Sequence, residues 1–366
     1  MTVRPLLVLA ASEGGVGRYV TGLASGFSAA GLAVHVAGPA ATGSRFRMAE
    51  FAPYHPVEIA DRPRPAHDLR AVTDLAEVIR RVRPDVIHAH GLRAGVVAVL
   101  AGRRPGRRPP LVVSWHNALL GSGPRRTALT GLELLVARGA DVTLGASSDL
   151  VGRAGALGAR DARLGPVAAP VRPAAQVDRD TVRDKLGLGP GPVLLTVGRL
   201  APQKDYPSLL DAVGGWADLR PQPLLVVVGV GPLADRIRSR IDAAGLPVRL
   251  LGARDDVAEL LVAADVAVIS SRWEARSLFA QEVLAAGVPL VATRVGGIPE
   301  LVADAALLVP PEDPAALGAA LRRVLTDADL RAGLAAAGPA QAAAWPTEED
   351  GRQQLIELYR EITARR

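Results

Sequence analysis

Short, fully apolar runs alternate with amphipathic stretches along the whole chain. Leu6–Ala10, Leu32–Ala37, Val86–Ala89, Leu111–Ser114 and Val142–Gly145 lack the polar alternation of a half-solvated strand. They predict strands buried on both faces. Between them lie helical patterns: Leu69, Val72, Leu75, Ile79 and Val82 recur on one face of a helix predicted over Asp68–Val82. Strand and helix in strict alternation predict a parallel, doubly wound sheet. The rhythm breaks at Gly165–Val177, a Pro/Ala-rich stretch that reads as a linker. It restarts with Val193–Val197, Leu224–Val228, Val248–Leu251, Val266–Ser270 and Leu290–Thr293. The expected architecture is α/β: two Rossmann-like domains, residues 1–172 and 173–345, with a cleft between them where such sheets bind ligands. Residues 346–366 are expected as a final helix. Pro346–Thr347–Glu348–Glu349 is its start signal, and Leu355, Ile356, Tyr359 and Ile362 form a stripe that needs a surface to cover.

Composition narrows the function classes. With 366 residues and 49 % hydrophobic positions, the chain has material for two cores and is not disordered. Aromatics are 3 %, so those cores are built from Ala, Val and Leu. The absence of Cys excludes disulfide scaffolds, Cys-ligated metals and thiol catalysis. The longest uncharged window, Tyr19–Ser44, is interrupted by Gly and polar residues, and Pro5–Ala11 is too short for a signal peptide. Cytoplasmic residence is the expectation. The net charge of +6 is unevenly spread: residues 1–172 carry 22 Arg against 12 acids, while the remainder is acidic. A basic half, with Arg103–Arg104 and Arg107–Arg108 at its centre, suits peripheral contact with anionic membrane lipid. Without interleaved aromatics it does not suggest nucleic acid. An ordinary solvated Arg-rich surface explains the same counts.

The strongest chemical signal is Glu274–Ala275–Arg276–Ser277–Leu278–Phe279–Ala280–Gln281–Glu282, directly after the strand Val266–Ser270. Ser277 is a good N-cap and Leu278 a first helical residue, so free amides there attract phosphate. Glu282 lies one turn on, suited to gripping two sugar hydroxyls, and it interrupts an otherwise apolar run. The second signal is Gly198–Arg199 followed by Lys204 at the carboxyl end of the strand Val193–Val197. Two cations so placed can grip a diphosphate, Arg in bidentate fashion and Lys as a point charge. Lys204 is one of two lysines among 43 basic residues.

Together these motifs resemble the retaining glycosyltransferases of family 4, group 1, which have the GT-B fold. The resemblance extends to Pro84–Asp85–Val86–Ile87–His88–Ala89–His90, to Val112–Val113–Ser114–Trp115–His116–Asn117, to Ala292–Thr293–Arg294–Val295–Gly296–Gly297–Ile298–Pro299–Glu300 and to the Gly-rich loop Ser12–Glu13–Gly14–Gly15–Val16–Gly17. It implies transfer of a sugar from a UDP- or GDP-linked donor to an acceptor hydroxyl, in cell-envelope, glycolipid, polysaccharide or natural-product glycosylation. By the same resemblance Glu282 would hold the ribose, and Glu274 would sit by the donor sugar. Ser277 and Leu278 would offer backbone amides, and Arg199 and Lys204 would neutralise the leaving diphosphate. His116 would contact the sugar near the reacting carbon. Gly14, Gly15, Gly17, Gly198 and Arg254 would complete the donor site, with base recognition near Gly252–Arg254. The final helix would return to the N-terminal domain. No cofactor or metal is required beyond the nucleotide-sugar donor; the acceptor stays open. His88 and His90 are expected to be structural. Two departures stand out: Ala275–Arg276 where the family often has Gly, and Gly165–Pro170 in place of an Asn-Gly crossover turn.

Other readings stay open at this level: a nucleotide-sugar epimerase of the same architecture, or a non-catalytic nucleotide-sugar-binding protein. Gly229–Val230–Gly231–Pro232–Leu233–Ala234 formally fits a dinucleotide fingerprint, but the nearest later acid, Asp255, is not at a strand end. Asp178–x–Asp180 and Asp327–x–Asp329 follow no strand and are expected to be incidental rather than metal motifs.

Overall fold

A computed structural model describes residues 3–102, 108–165, 168, 175–216 and 218–365. Arg103, Arg104 and Arg107 lie outside the described residues, as does most of the Gly165–Val177 linker. The chain divides into two compact units, Met1–Pro170 with Pro346–Arg366, and Val171–Trp345.

The first unit is built on seven parallel strands: β1 (Pro5–Leu9), β2 (His35–Gly38), β3 (Tyr54–Pro56), β4 (Val86–His90), β5 (Leu111–Trp115), β6 (Val142–Gly145) and β7 (Ala162–Leu164). Their order is β3-β2-β1-β4-β5-β6-β7. The order reverses between β1 and β4, so the connections leaving these two strands diverge and open a crevice at their carboxyl ends. Leu6 to Leu9 are fully buried because helices cover both faces of the sheet. One covering layer joins the helix Gly15–Ala29, through Val20, Leu23, Ala24 and Phe27, to Leu355, Ile356, Tyr359 and Ile362 of the helix Glu348–Ala364. That last helix starts on a reciprocal cap, Asp350 N–H to Thr347 Oγ1 at 3.1 Å and Thr347 N–H to Asp350 Oδ2 at 2.9 Å. Arg163 of β7 holds its Glu361 by two bonds of 2.8 Å.

The second unit carries β8 (Val193–Val197), β9 (Leu224–Val228), β10 (Val248–Gly252), β11 (Val266–Ile269), β12 (Leu290–Thr293) and β13 (Ala306–Val309), all parallel, in the order β10-β9-β8-β11-β12-β13. Its reversal lies between β8 and β11. Alternate residues feed opposite layers: Leu195, Val226 and Val228 enter one core, Leu194, Leu225 and Val227 the other. Two buried faces therefore explain the unbroken apolar runs.

The sheets are wider than the apolar runs predict. β3, β7 and β13 are edge strands of three or four residues; β3 and β7 carry polar, half-exposed positions and leave little hydrophobic signal, while β13 is apolar but short and mostly half-buried. Pro56 is tolerated in β3 because that strand pairs on one side only. β2 starts at His35, not Leu32. Leu32 instead closes the preceding helix, its N–H bonding Phe27 O at 2.9 Å after Gly31 turns at φ +77°.

Candidate functional site

In the second unit the loops leaving β8 and β11, the two strands at the reversal, are stitched together. Gln203 Nε2 donates to Trp273 O at 2.7 Å, and Arg272 N–H donates to Gln203 O at 2.8 Å. Ser270 Oγ donates to Lys204 O at 2.8 Å. This stitching brings Lys204 Nζ to within 2.5 Å of Glu274 Oε1 across 70 residues of sequence. Ser271 Oγ donates to the same oxygen at 2.5 Å. The Glu274 side chain is 9 % exposed and that of Lys204 25 %. A pair this enclosed keeps much of its Coulomb attraction, and loss of either member leaves a costly buried charge. Glu274 is thus not a solvated surface acid, and Lys204 is not an unpaired cation.

The backbone behind Glu274 is equally constrained. Gly297 N–H donates to Glu274 O at 2.9 Å. Gly296 adopts φ +48°, and a Cβ there would stand 1.9 Å from Glu274 O, so only Gly permits the approach. Thr293 Oγ1 holds Ser271 O at 2.6 Å. Gln203, Ser271, Thr293 and Gly296 position this pair; Thr293 and Gly296 entered the sequence reading only as part of the Ala292–Glu300 motif, and Gln203 and Ser271 were given no role. A pairing signal between two loops 70 residues apart is invisible in one sequence.

The helix Leu278–Ala285 begins at Ser277, whose Oγ accepts from Ala280 N–H at 3.3 Å. The cap leaves the Leu278 and Phe279 amides at the helix start, where partial positive charge collects. Glu282 stands one turn further on the same helix, half-buried. Arg199 is exposed at the end of β8. Gly198 packs on the Lys204 stem, where a Cβ would meet Lys204 Cε at 3.2 Å. Arg254 is drawn aside: its Nε donates to Asp256 Oδ1 at 2.8 Å and Nη2 bonds Oδ2. Asp256 raises its pKa through these bonds. Arg276 turns onto Trp345, with Cζ 5.7 Å from the ring centroid. Burial pushes Arg276 below the usual arginine value, against the pull of Glu300.

In the first unit, the helix Gly15–Ala29 starts at the carboxyl end of β1, at the reversal. Gly14 and Gly15 are exposed there, with open space where a Gly14 Cβ would lie. Gly17 serves a different end. It lies inside the helix, where a Cβ would fall 2.2 Å from the Phe46 ring, and its N–H bonds Ser12 Oγ at 3.1 Å. His116 follows β5, and its Nε2 faces His90 Nδ1 of β4 at 3.3 Å. The two rings lie 14° from parallel, and Tyr19 meets both edge-on at 5.8 and 5.6 Å. His88 lies against His90 with centroids 4.1 Å apart. It is held on both nitrogens, by Tyr359 Oη at 2.6 Å and Ser114 Oγ at 2.7 Å. Burial lowers His116 to about 4. Burial and then the His116 charge lower His88 to about 3, and His90 falls well below its ordinary value. The three imidazoles are neutral at pH 7.

The decoy motifs have local explanations. Gly229 adopts φ +139°, and a Cβ there would lie 2.0 Å from Gly198 O; one on Gly231 would lie 2.5 Å from Leu200 O. These glycines let the β9 loop pass against the β8 loop, continuing the ladder through Leu200 N–H to Val230 O at 2.9 Å. Asp178 and Asp327 are helix N-caps, accepting from Thr181 N–H and Leu330 N–H.

The chain is similar to known proteins. A family model described as glycosyl transferases group 1 matches residues 178–341, and one described as glycosyl transferase 4-like domain matches residues 14–170. D-inositol 3-phosphate glycosyltransferase of Nocardiopsis dassonvillei is 31 % identical over 312 residues, covering 77 % of this chain and 71 % of that protein. The chain belongs to the group 1 glycosyltransferases. A second relative of this glycosyltransferase, N-acetyl-alpha-D-glucosaminyl L-malate synthase of Bacillus anthracis, is 28 % identical over 65 % of the chain; the match spans 64 % of that relative's length. The solved structure of Anabaena HepE in complex with UDP-glucose superposes with a TM-score of 0.83 at 22 % identity, covering 98 % of this chain and 100 % of that one. The glycosyltransferase has the GT-B fold, as the motifs implied. Among the described residues no helix is long and apolar enough to cross a membrane.

Proposed function

We propose that this glycosyltransferase moves a sugar from a nucleotide-diphosphate donor, UDP- or GDP-linked, to an acceptor hydroxyl with retention at the anomeric carbon. The observation that carries the reading is the Lys204–Glu274 pair beside the Ser277-capped helix start, with Glu282 one turn away. The pair uses one Nζ proton, and the others remain for phosphate oxygen. Arg199 adds a second cation as the C1–O(phosphate) bond breaks and charge grows on the diphosphate, the point where stabilisation counts most. The amides of Leu278 and Phe279 supply fixed dipoles for the same charge. Glu282 accepts the two ribose hydroxyls, and Glu274 Oε2 accepts from the sugar. The acceptor oxygen bonds to C1 on the face the phosphate leaves, and its proton passes to a phosphate oxygen. Gly14, Gly15 and His116 serve the sugar and acceptor. UDP-glucose is the first donor to try, because HepE was solved with it. An anionic lipid surface is retained as a partner of the Arg-rich first unit.

Calorimetric titration with UDP, GDP and NAD tests the donor site. One nucleoside diphosphate should bind, and Glu282→Ala should weaken it at least about tenfold, the loss of charge-assisted hydrogen bonds worth about 1.5–3 kcal/mol. Binding of NAD alone, or a nucleoside diphosphate bound equally well by the variant, overturns the assignment.

A further inference from the structure

The imidazole cluster of the first unit contains an imbalance that decides how His116 can act. His90 is 2 % exposed, and its Nε2 has no hydrogen-bond partner among the described residues. Its Nδ1 faces His116 Nε2 across 3.3 Å. A neutral imidazole carries one N–H, so one of the two facing nitrogens is the donor and the other the acceptor. Two arrangements satisfy that contact. In one, His116 Nε2–H donates to His90 Nδ1, which forces the His90 proton onto Nε2 and buries an N–H with nothing to bond. In the other, His90 Nδ1–H donates to His116 Nε2, and the buried His90 Nε2 is only an unused lone pair. Orphaned buried N–H groups are rare, while under-used acceptors are better tolerated. The second arrangement is favoured.

The surroundings prevent the cluster from escaping this choice. Burial keeps the three rings neutral. Rotation of His90 is opposed by Tyr19 edge-on from one direction and by His88 in ring contact at 4.1 Å from another. His88 in turn is fixed at both nitrogens by Tyr359 and Ser114. We infer that His90 is a positioning residue that fixes His116 as its Nδ1–H tautomer, so His116 meets substrate as a hydrogen-bond donor and not as a base. The substrate-facing half of this inference rests on the proposed role of His116; the tautomer does not. The chemistry that matches is an uncharged acceptor oxygen: a sugar hydroxyl or ring oxygen, which a neutral N–H donor orients.

The test uses the full chain labelled with ¹⁵N-histidine at pH 7.5, where two-bond nitrogen–proton correlation spectra separate the two neutral tautomers of each ring. His116→Gln identifies the His116 signals. The expected wild-type pattern is protonation of His116 on Nδ1. His90→Asn, whose amide can donate from the position of Nδ1, should preserve it, and His90→Leu should let His116 redistribute toward Nε2–H. A wild-type His116 protonated on Nε2, or a tautomer unmoved by His90→Leu, overturns the inference. If His90→Leu does not fold, the wild-type and His90→Asn spectra still decide. In sugar transfer His90→Leu should lose about tenfold in kcat/KM, the equivalent of one hydrogen bond, and His90→Asn should recover most of it. A chain in which His116→Ala transfers sugar at the wild-type rate overturns the substrate-facing role while leaving the tautomer measurement to stand by itself.

Discussion

The two units fix their polar groups by opposite means. In the second unit, order comes from charge: Lys204 and Glu274 meet in an enclosed pair, and two loops are pinned by side chain to backbone bonds from Gln203, Ser270 and Thr293. In the first unit, order comes from neutrality: three imidazoles are enclosed against two phenols and a serine hydroxyl, and protonation of the rings is suppressed. A site that must stabilise a leaving diphosphate gains from preorganised charge. On the proposed reading the first unit orients hydroxyls, and neutral donors suffice for that task. The contrast teaches that the same doubly wound sheet, with the same reversal of strand order, can host either solution. What differs is the set of residues on and beyond the carboxyl ends of the strands.

Neutralising the charged side should have the largest effect. Glu274→Gln keeps the shape but removes the charge, and transfer should fall roughly 100-fold or more. Release of the nucleoside diphosphate from the donor in the presence of acceptor is the readout, and near-normal turnover would remove Glu274 from the reaction. Next in size is the stability cost of opening the pair from its other end. Lys204→Ala strands an enclosed carboxylate, and because the lysine itself is a quarter exposed the cost should be about 2–3 kcal/mol rather than the full value for a buried pair. Urea denaturation measures it, and adding Glu274→Gln in the same chain should restore part of the loss. If the double variant is less stable than Lys204→Ala, the pair is not the source.

A change of pH tests the neutral side. Unfolded His88 and His116 take up protons near 6.5, whereas in the folded unit they do so only near 3 and about 4. Below pH 6.5 the unfolded state therefore binds protons that the folded state refuses, and stability falls as pH falls, by at most about 1.4 kcal/mol per pH unit for each imidazole. Above that pH this contribution is level. The groups facing the rings are Tyr19, Ser114 and Tyr359, with Glu348 the acid whose charge is felt at Tyr19. Hydrogen exchange in peptides from β4 and β5, corrected for intrinsic rate, should show lower protection at pH 5.5 than at 7.5. A pH-independent protection there would contradict the buried neutral cluster.

Central strands were legible because burial on both faces writes itself as unbroken apolarity. Val142–Gly145, Val193–Val197, Leu224–Val228 and Leu290–Thr293 have the same limits in sequence and structure. The edge strands β3 and β7 were not, because each need only satisfy one neighbour and keeps half-exposed residues such as Tyr54, His55 and Arg163; the edge strand β10 was legible because Val248–Leu251 is largely apolar. Of the candidate site, the residue types were legible and their partners were not. Nothing near Glu274 in sequence announces Lys204. Likewise the meeting of His90 and His116 depends on the β4–β5 register, which sets His90 opposite Ser114. Arg254 and Gly17 show the converse: motif position alone does not reveal that Asp256 or the Phe46 ring already claims the neighbourhood.

The helix Glu348–Ala364 carries a consequence for how the chain is made. Its Leu355, Ile356, Tyr359 and Ile362 complete the core of the first unit, yet they are synthesised after the whole of the second. Translation at about 5–20 residues per second delays them by roughly 10–70 s behind the strands they cover. During that interval Val20, Leu23 and Phe27 have no lid, and His88 lacks Tyr359. The second unit, contiguous in sequence, has no such wait. The order of synthesis and the order of completion are thus reversed: the half that emerges first is the half that finishes last, and it is the nascent surface a chaperone would find open.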